Sequence, residues 1–135
     1  MRGQVALEYM VMFGVCLIIV TVLMFYVQSN TSATDWELKA AYARHAINKI
    51  AETANMVYIQ GYPSRSTIYV VFPDNVENVS IENRNVIMVI KTGNLTASIS
   101  EKVLGNVTGY ISSQKGGHEL VVKSEGDYVN ITEAS

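Results

Sequence analysis

MRGQVALEYMVMFGVCLIIVTVLMFYV, residues 1–27, decides how the rest of the chain is read. No residue from 9 to 27 is charged. As an α-helix that stretch is about 28 Å long, close to the ~30 Å hydrocarbon core of a bilayer. It is apolar on every face, unlike a helix that lies on a surface. The remaining chain is too small to enclose it as the core helix of a soluble domain. A secretory signal is the nearer competitor. The small residues Ser29-Asn30-Thr31-Ser32-Ala33 offer a cleavage site, but the apolar region exceeds the ~7–15 residues typical of such signals. Arg2 precedes the helix, and residues 28–36 contain no Lys or Arg. The positive-inside rule then puts the start in the cytoplasm and everything after Gln28 outside.

Glu8 is out of place in a plain anchor. An acid at the end of a membrane helix can extend to headgroup water, yet an ionisable side chain there is by default a functional hypothesis. It follows a very short basic leader, Met1-Arg2-Gly3, and a Gly3-Gln4 junction. Gly14 is read either as a tolerated membrane glycine or as a place where helices approach closely or the helix unwinds locally. Cys16 is the only cysteine, so no internal disulfide and no cysteine metal site can form. Inside the apolar run it reads as a small packing residue.

Arg2-Gly3-Gln4-Val5-Ala6-Leu7-Glu8-Tyr9, with the apolar run behind it, resembles the class III signal peptide of archaeal type IV pilin-like proteins. In that family a short basic leader ending in Gly or Ala is removed ahead of Gln by a membrane prepilin peptidase. Gln4, Glu8 and Tyr9 match the pattern that follows the cut; Ala6 stands where Ser is common. The resemblance implies cleavage between Gly3 and Gln4 and assembly through Gln4, Glu8 and Tyr9. It implies that Glu8 pairs with the new amine of Gln4 on a neighbouring subunit. A carboxylate in an apolar bundle is costly alone, and an opposite charge offsets much of that cost. The implied partners are copies of the chain in a helical filament, the peptidase, and a pilus assembly platform with its ATPase. The precursor would sit in the cell membrane and the product in an extracellular filament serving adhesion or surface attachment.

Beyond the apolar run the chain reads like a soluble protein. Residues 28–33 are polar and lack a helical pattern, so the sequence leaves open whether one helix or two run through them. Thr34-Asp35-Trp36-Glu37 has the form of a capping box. Ala40, Ala43, Ile47, Ile50, Ala54 and Val57 form one apolar stripe, predicting an amphipathic helix to about Ile59. Gly61-Tyr62-Pro63 ends it. Short β-branched and aromatic runs follow at 67–72, 76–82, 85–91, 95–100, 107–112, 118–123 and 128–132, separated by turn residues. The expected fold is α+β. It comprises a leader at 1–3, a transmembrane or filament-core helix at 4–27, and a polar break with an amphipathic helix at 28–60. An antiparallel β-sheet head, as a meander or small sandwich, completes it at 61–135. This is the architecture that the resemblance to type IV pilins also implies.

Five Asn-x-Ser/Thr sequons follow the apolar run, at Asn30, Asn78, Asn94, Asn106 and Asn130. They mark an extracellular surface carrying N-glycans, with Asn94 and Asn106 in expected loops. Net charge is −2 and there is no basic patch, which argues against nucleic-acid binding. His45 and His118 lack metal-ligand spacing and read as surface residues. No phosphate loop or nucleophile elbow is present in the sequence, so no catalytic residue, metal or cofactor is expected. The reading is a structural filament subunit. The alternative is a membrane-anchored accessory or minor pilin-like binding protein exposed outside the cell, which needs neither Gln after Gly nor Glu8.

Overall fold

A computed structural model describes residues 1–134; the side chains of residues 30–33, and with them the Asn30 sequon, lie outside the described residues. The helix α1 (Arg2–Gln60) is followed by seven strands: β1 (Arg65–Phe72), β2 (Val76–Glu82), β3 (Asn85–Thr92), β4 (Leu95–Lys102), β5 (Asn106–Gly109), β6 (Gly116–Ser124) and β7 (Tyr128–Glu133). The fold is α+β, with a long apolar N-terminal helix and a β-rich head. The chain divides into two units, Met1–Glu37 and Leu38–Ser135, and each is described by itself. No helix begins at Thr34-Asp35-Trp36-Glu37, because α1 already includes these residues. A capping box matters only where backbone N–H groups lack helical partners. Polar residues inside a helix cost only tenths of a kcal/mol each relative to Ala, so the polar stretch did not have to break it.

In the second unit the apolar stripe of α1 is the organising surface. Ala43, Ile47, Ile50, Ala54 and Val57 are buried, joined by Ala46 and Ala51, while Ala40 is half-buried. The strands supply the rest of the core by alternation: Val70 and Phe72 from β1, Val86, Met88 and Ile90 from β3, Leu120 and Val122 from β6, Val129 and Ile131 from β7. Two sheets share this core. One has the order β2-β3-β4 and is an antiparallel meander; the other has the order β1-β6-β7-β5. Within the second, β1 pairs antiparallel with β6 and β6 with β7.

The head is not purely antiparallel, because β5 runs parallel to β7, Val107 facing Val129. The chain leaves β4, and the Val103 N–H donates to the Arg84 carbonyl (2.7 Å). It then enters β5, where the Val107 N–H donates to the carbonyl of Asn83 in the β2–β3 turn (3.1 Å). The β6–β7 hairpin next places β7 between β6 and β5, which fixes the parallel sense. Gly109 ends β5 with φ of +142°, and a Cβ there would lie 1.9 Å from the Ile131 carbonyl oxygen. The expected strand at 107–112 therefore stops at Gly109, and Ile111 is buried from a loop instead. Gly116 and Gly117, expected in a turn, open β6; a Cβ on Gly117 would strike the Tyr69 hydroxyl.

His118 is buried, not a surface residue, at 5% exposure. Its Nδ1 lies 2.5 Å from Glu133 Oε1 and its Nε2 lies 2.6 Å from the Gln114 carbonyl oxygen. Both ring nitrogens thus lie at hydrogen-bond distance from oxygen atoms of the head. Phe72 packs beside the ring at 4.6 Å between centroids. The other carboxylate oxygen of Glu133 accepts the Ser112 N–H (3.3 Å), so one acid ties β7, β6 and the loop together. The His118 hydrogen bond, aided by the Ser112 N–H, holds the Glu133 carboxyl below its ordinary value of 4.5.

Two outcomes follow from these contacts. Gly109→Ala should lower the melting temperature of the purified protein, because the new methyl group can neither fit nor keep the backbone angle; unchanged melting would contradict the described packing. Glu133→Gln should cost about 1 kcal/mol, less where solvent screens the pair. Since the folded-state acid is the stronger one, its contribution is complete above about pH 4.5 and disappears as the pH falls through the lower folded value. The gap in denaturant stability between wild type and Glu133→Gln should therefore close on acidification below about pH 4.5.

Candidate functional site

The processing and assembly residues singled out by the sequence lie in the first unit. Gly3, Gln4, Glu8 and Tyr9 all fall within α1 and are exposed. Gln4 and Glu8 are separated by four positions, so they share one face, stacked one turn apart at about 6 Å along the axis. A backbone amine created at Gln4 would therefore sit at the same end and on the same side as the Glu8 carboxylate. Tyr9 is rotated by about 100° from Glu8 around the helix axis. The ion pairs among the described residues are Lys39–Asp74, His118–Glu133 and Lys123–Glu125, all in the second unit.

Around Glu8 the helix is apolar and uncovered. Every large apolar side chain from Val5 to Val27 is exposed, and the helix is long and apolar enough there to cross a membrane. Removing that many side chains from water is worth on the order of tens of kcal/mol. Such a surface calls for lipid or for other apolar helices. Thr21, a polar group within the run, donates its hydroxyl to the Leu17 carbonyl (2.8 Å), so it needs no outside partner. Gly14 leaves a shallow depression flanked by Met10 and Phe13, with open space where a Cβ would stand.

The sequons are spread over the head. Asn78 is exposed on β2, Asn94 is exposed in the β3–β4 turn, and Asn106 is exposed at the first residue of β5 rather than in a loop. Asn130 is half-buried on β7, between β5 and β6. His45 is exposed on α1. Among the described residues, no group of three or more His, Cys, Asp and Glu side chains is placed to hold a metal ion. The His118–Glu133 pair went unread in the sequence. Its members are 15 residues apart, and only the β6–β7 hairpin brings them together.

No curated protein and no solved structure matches the chain. Residues 2–27 match a protein-family model described as class III signal peptide. The match covers Arg2-Gly3, Gln4, Glu8 and the apolar run together, and it is consistent with a type IV pilin-like prepilin.

Proposed function

We propose that the protein is a structural subunit of an archaeal type IV pilus-like surface filament. A prepilin peptidase cuts the precursor between Gly3 and Gln4, and an assembly platform with its ATPase moves the subunit from the membrane into the filament. The observation that carries this reading is a helix whose large apolar side chains from Val5 to Val27 are all exposed, with one acid, Glu8, inside the segment that matches a class III signal peptide. A lipid anchor requires the first feature only. In a filament, neighbouring helices replace lipid, and Glu8 of one subunit meets the amine of Gln4 on another. A subunit in the wrong register leaves that acid unpaired in an apolar bundle, so the pair fixes axial stagger. Tyr9 packs beside this contact.

The head forms the outer surface of the filament and serves attachment. Asn78, Asn94 and Asn106 are exposed acceptors for N-glycans; Asn30 and Asn130 complete the sequon set. A membrane-anchored accessory component is the second reading, and the junction chemistry separates the two.

N-terminal sequencing of the protein purified from its native host should give a chain that starts at Gln4. A start at Met1 in isolated filaments would remove the processing step. Glu8→Ala should insert normally in the membrane and yield far fewer filaments by electron microscopy. Leaving one charge of a buried pair without its partner costs about 3 kcal/mol or more, roughly a 100-fold loss in association. Normal filament yield from Glu8→Ala would end the register role and favour the accessory reading.

A further inference from the structure

The head has sheet edges at β1, β5, β2 and β4, and they are not equally protected. An uncovered edge offers a row of backbone N–H and C=O groups to any passing strand, and proteins normally blunt it. On β1, Lys49 Nζ donates to the Tyr69 carbonyl (2.9 Å). On β2 the pairing register shifts between Val76 and Asn78, and Glu77 and Glu82 add charge. β5 is only four residues long, and its Val107 N–H is already engaged by Asn83. β4 carries charge only at its end, Glu101 and Lys102 beside Asn48, Glu52 and Asn55 of α1, and its stretch 95–100 has none of these devices. It pairs with β3 in unbroken register from Leu95 to Lys102. It contains no Pro and no Gly, and no charge before Glu101. Among the described residues no strand pairs with its outer edge.

We infer that the β4 edge pairs with β4 of a second copy of this chain, antiparallel and centred on Ser98. The occupant is argued from the strand itself. Thr96-Ala97-Ser98-Ile99-Ser100 reads the same in both directions as hydroxyl, apolar, hydroxyl, apolar, hydroxyl. In the antiparallel register that places Ser98 opposite Ser98, Ala97 of each copy faces Ile99 of the other, and Thr96 faces Ser100. Ala97 and Ile99 lie on the core side, paired with Ile90 and Met88, and both are only half-buried. A second strand covers what they leave open. Thr96, Ser98 and Ser100 are exposed on the other face, where hydroxyl pairs across strands are favourable. Charge selects the same arrangement. A parallel pair in register would stack Glu101 on Glu101 and Lys102 on Lys102, whereas the antiparallel pair sends them to opposite ends. The product is a six-stranded sheet, three strands from each copy. The contact has two-fold symmetry and is closed, so it joins copies in pairs and does not itself extend a filament. It does not depend on the cleavage or filament reading.

Site-directed crosslinking of the full chain in detergent, with Cys16 replaced by Ala, tests this. Ser98→Cys should form a disulfide-linked dimer on mild oxidation, because directly opposed strand residues have Cα atoms about 4.5–5.5 Å apart, within disulfide reach. Thr96→Cys alone should not, since the two copies of residue 96 would lie about 13 Å apart. Thr96→Cys mixed with Ser100→Cys should crosslink. Ser98→Lys should abolish the β4 contact without changing the melting temperature, and mixing it with Ser98→Glu should restore a mixed dimer. Absence of a Ser98→Cys dimer above the Thr96→Cys level would overturn the proposal. So would a dimer indifferent to Ser98→Lys, which would mean association through the apolar helix. A strand of another protein on this edge would leave Ser98→Cys uncrosslinked and would equally overturn it.

Discussion

Apolar surface has to leave water, and α1 meets that constraint differently along its length. From Ala43 to Val57 only one stripe is apolar, and the strands of the same chain cover it. From Val5 to Val27 every face is apolar, and nothing in the first unit covers any of them. No small head could do so. The chain is therefore incomplete by design in one region and self-sufficient in the other. The first region needs lipid or other chains, and the second folds around its own core. The placement of Glu8 matters because it lies in the region that depends on others. A carboxylate in the self-sufficient part could find a partner such as Lys39 or Lys123, as Asp74 and Glu125 do.

The head's strands were legible because each is short, rich in β-branched residues, and bounded by turn chemistry that acts locally. Asn83-Arg84 and Gly93-Asn94 make tight turns, with Asn83 and Gly93 at positive φ, as their residue types favour. Pairing was less legible. Nothing in 106–109 says that its neighbour is a strand some twenty residues further on, or that the two run in the same direction. That outcome depends on the hydrogen bond from Val107 to Asn83 and on Gly109 lying against Ile131, both contacts between distant segments. The polar stretch before Asp35 left open whether one helix or two run through it, because its composition permits a break while a helical backbone needs only modest propensity to continue.

At the candidate site the balance is reversed. The class III signal segment was legible, because a charge behind a short basic start and inside an apolar run stands out without any fold. His118 was not. As a lone histidine it looked ordinary, and only the hairpin gives it Glu133 and the Gln114 carbonyl. Sequence reading therefore picked out groups that stand apart from their own surroundings, and missed a pair that only the folded head brings together.

The order of β1-β6-β7-β5 has a consequence for how the protein is made. β7 follows every other strand of the head along the chain, yet it is interior to its sheet. Until it leaves the ribosome, β5 has no strand to pair with in that sheet and β6 lacks one of its two neighbours. The apolar part of α1 emerges far earlier and can enter lipid at once. Membrane insertion thus precedes completion of the head. Before β7 arrives only the β1–β6 pair of that sheet can form, so the sheet and the core that Val129 and Ile131 complete stay open until the last strand is made. The timing is set by strand order alone, whatever the rate of translation.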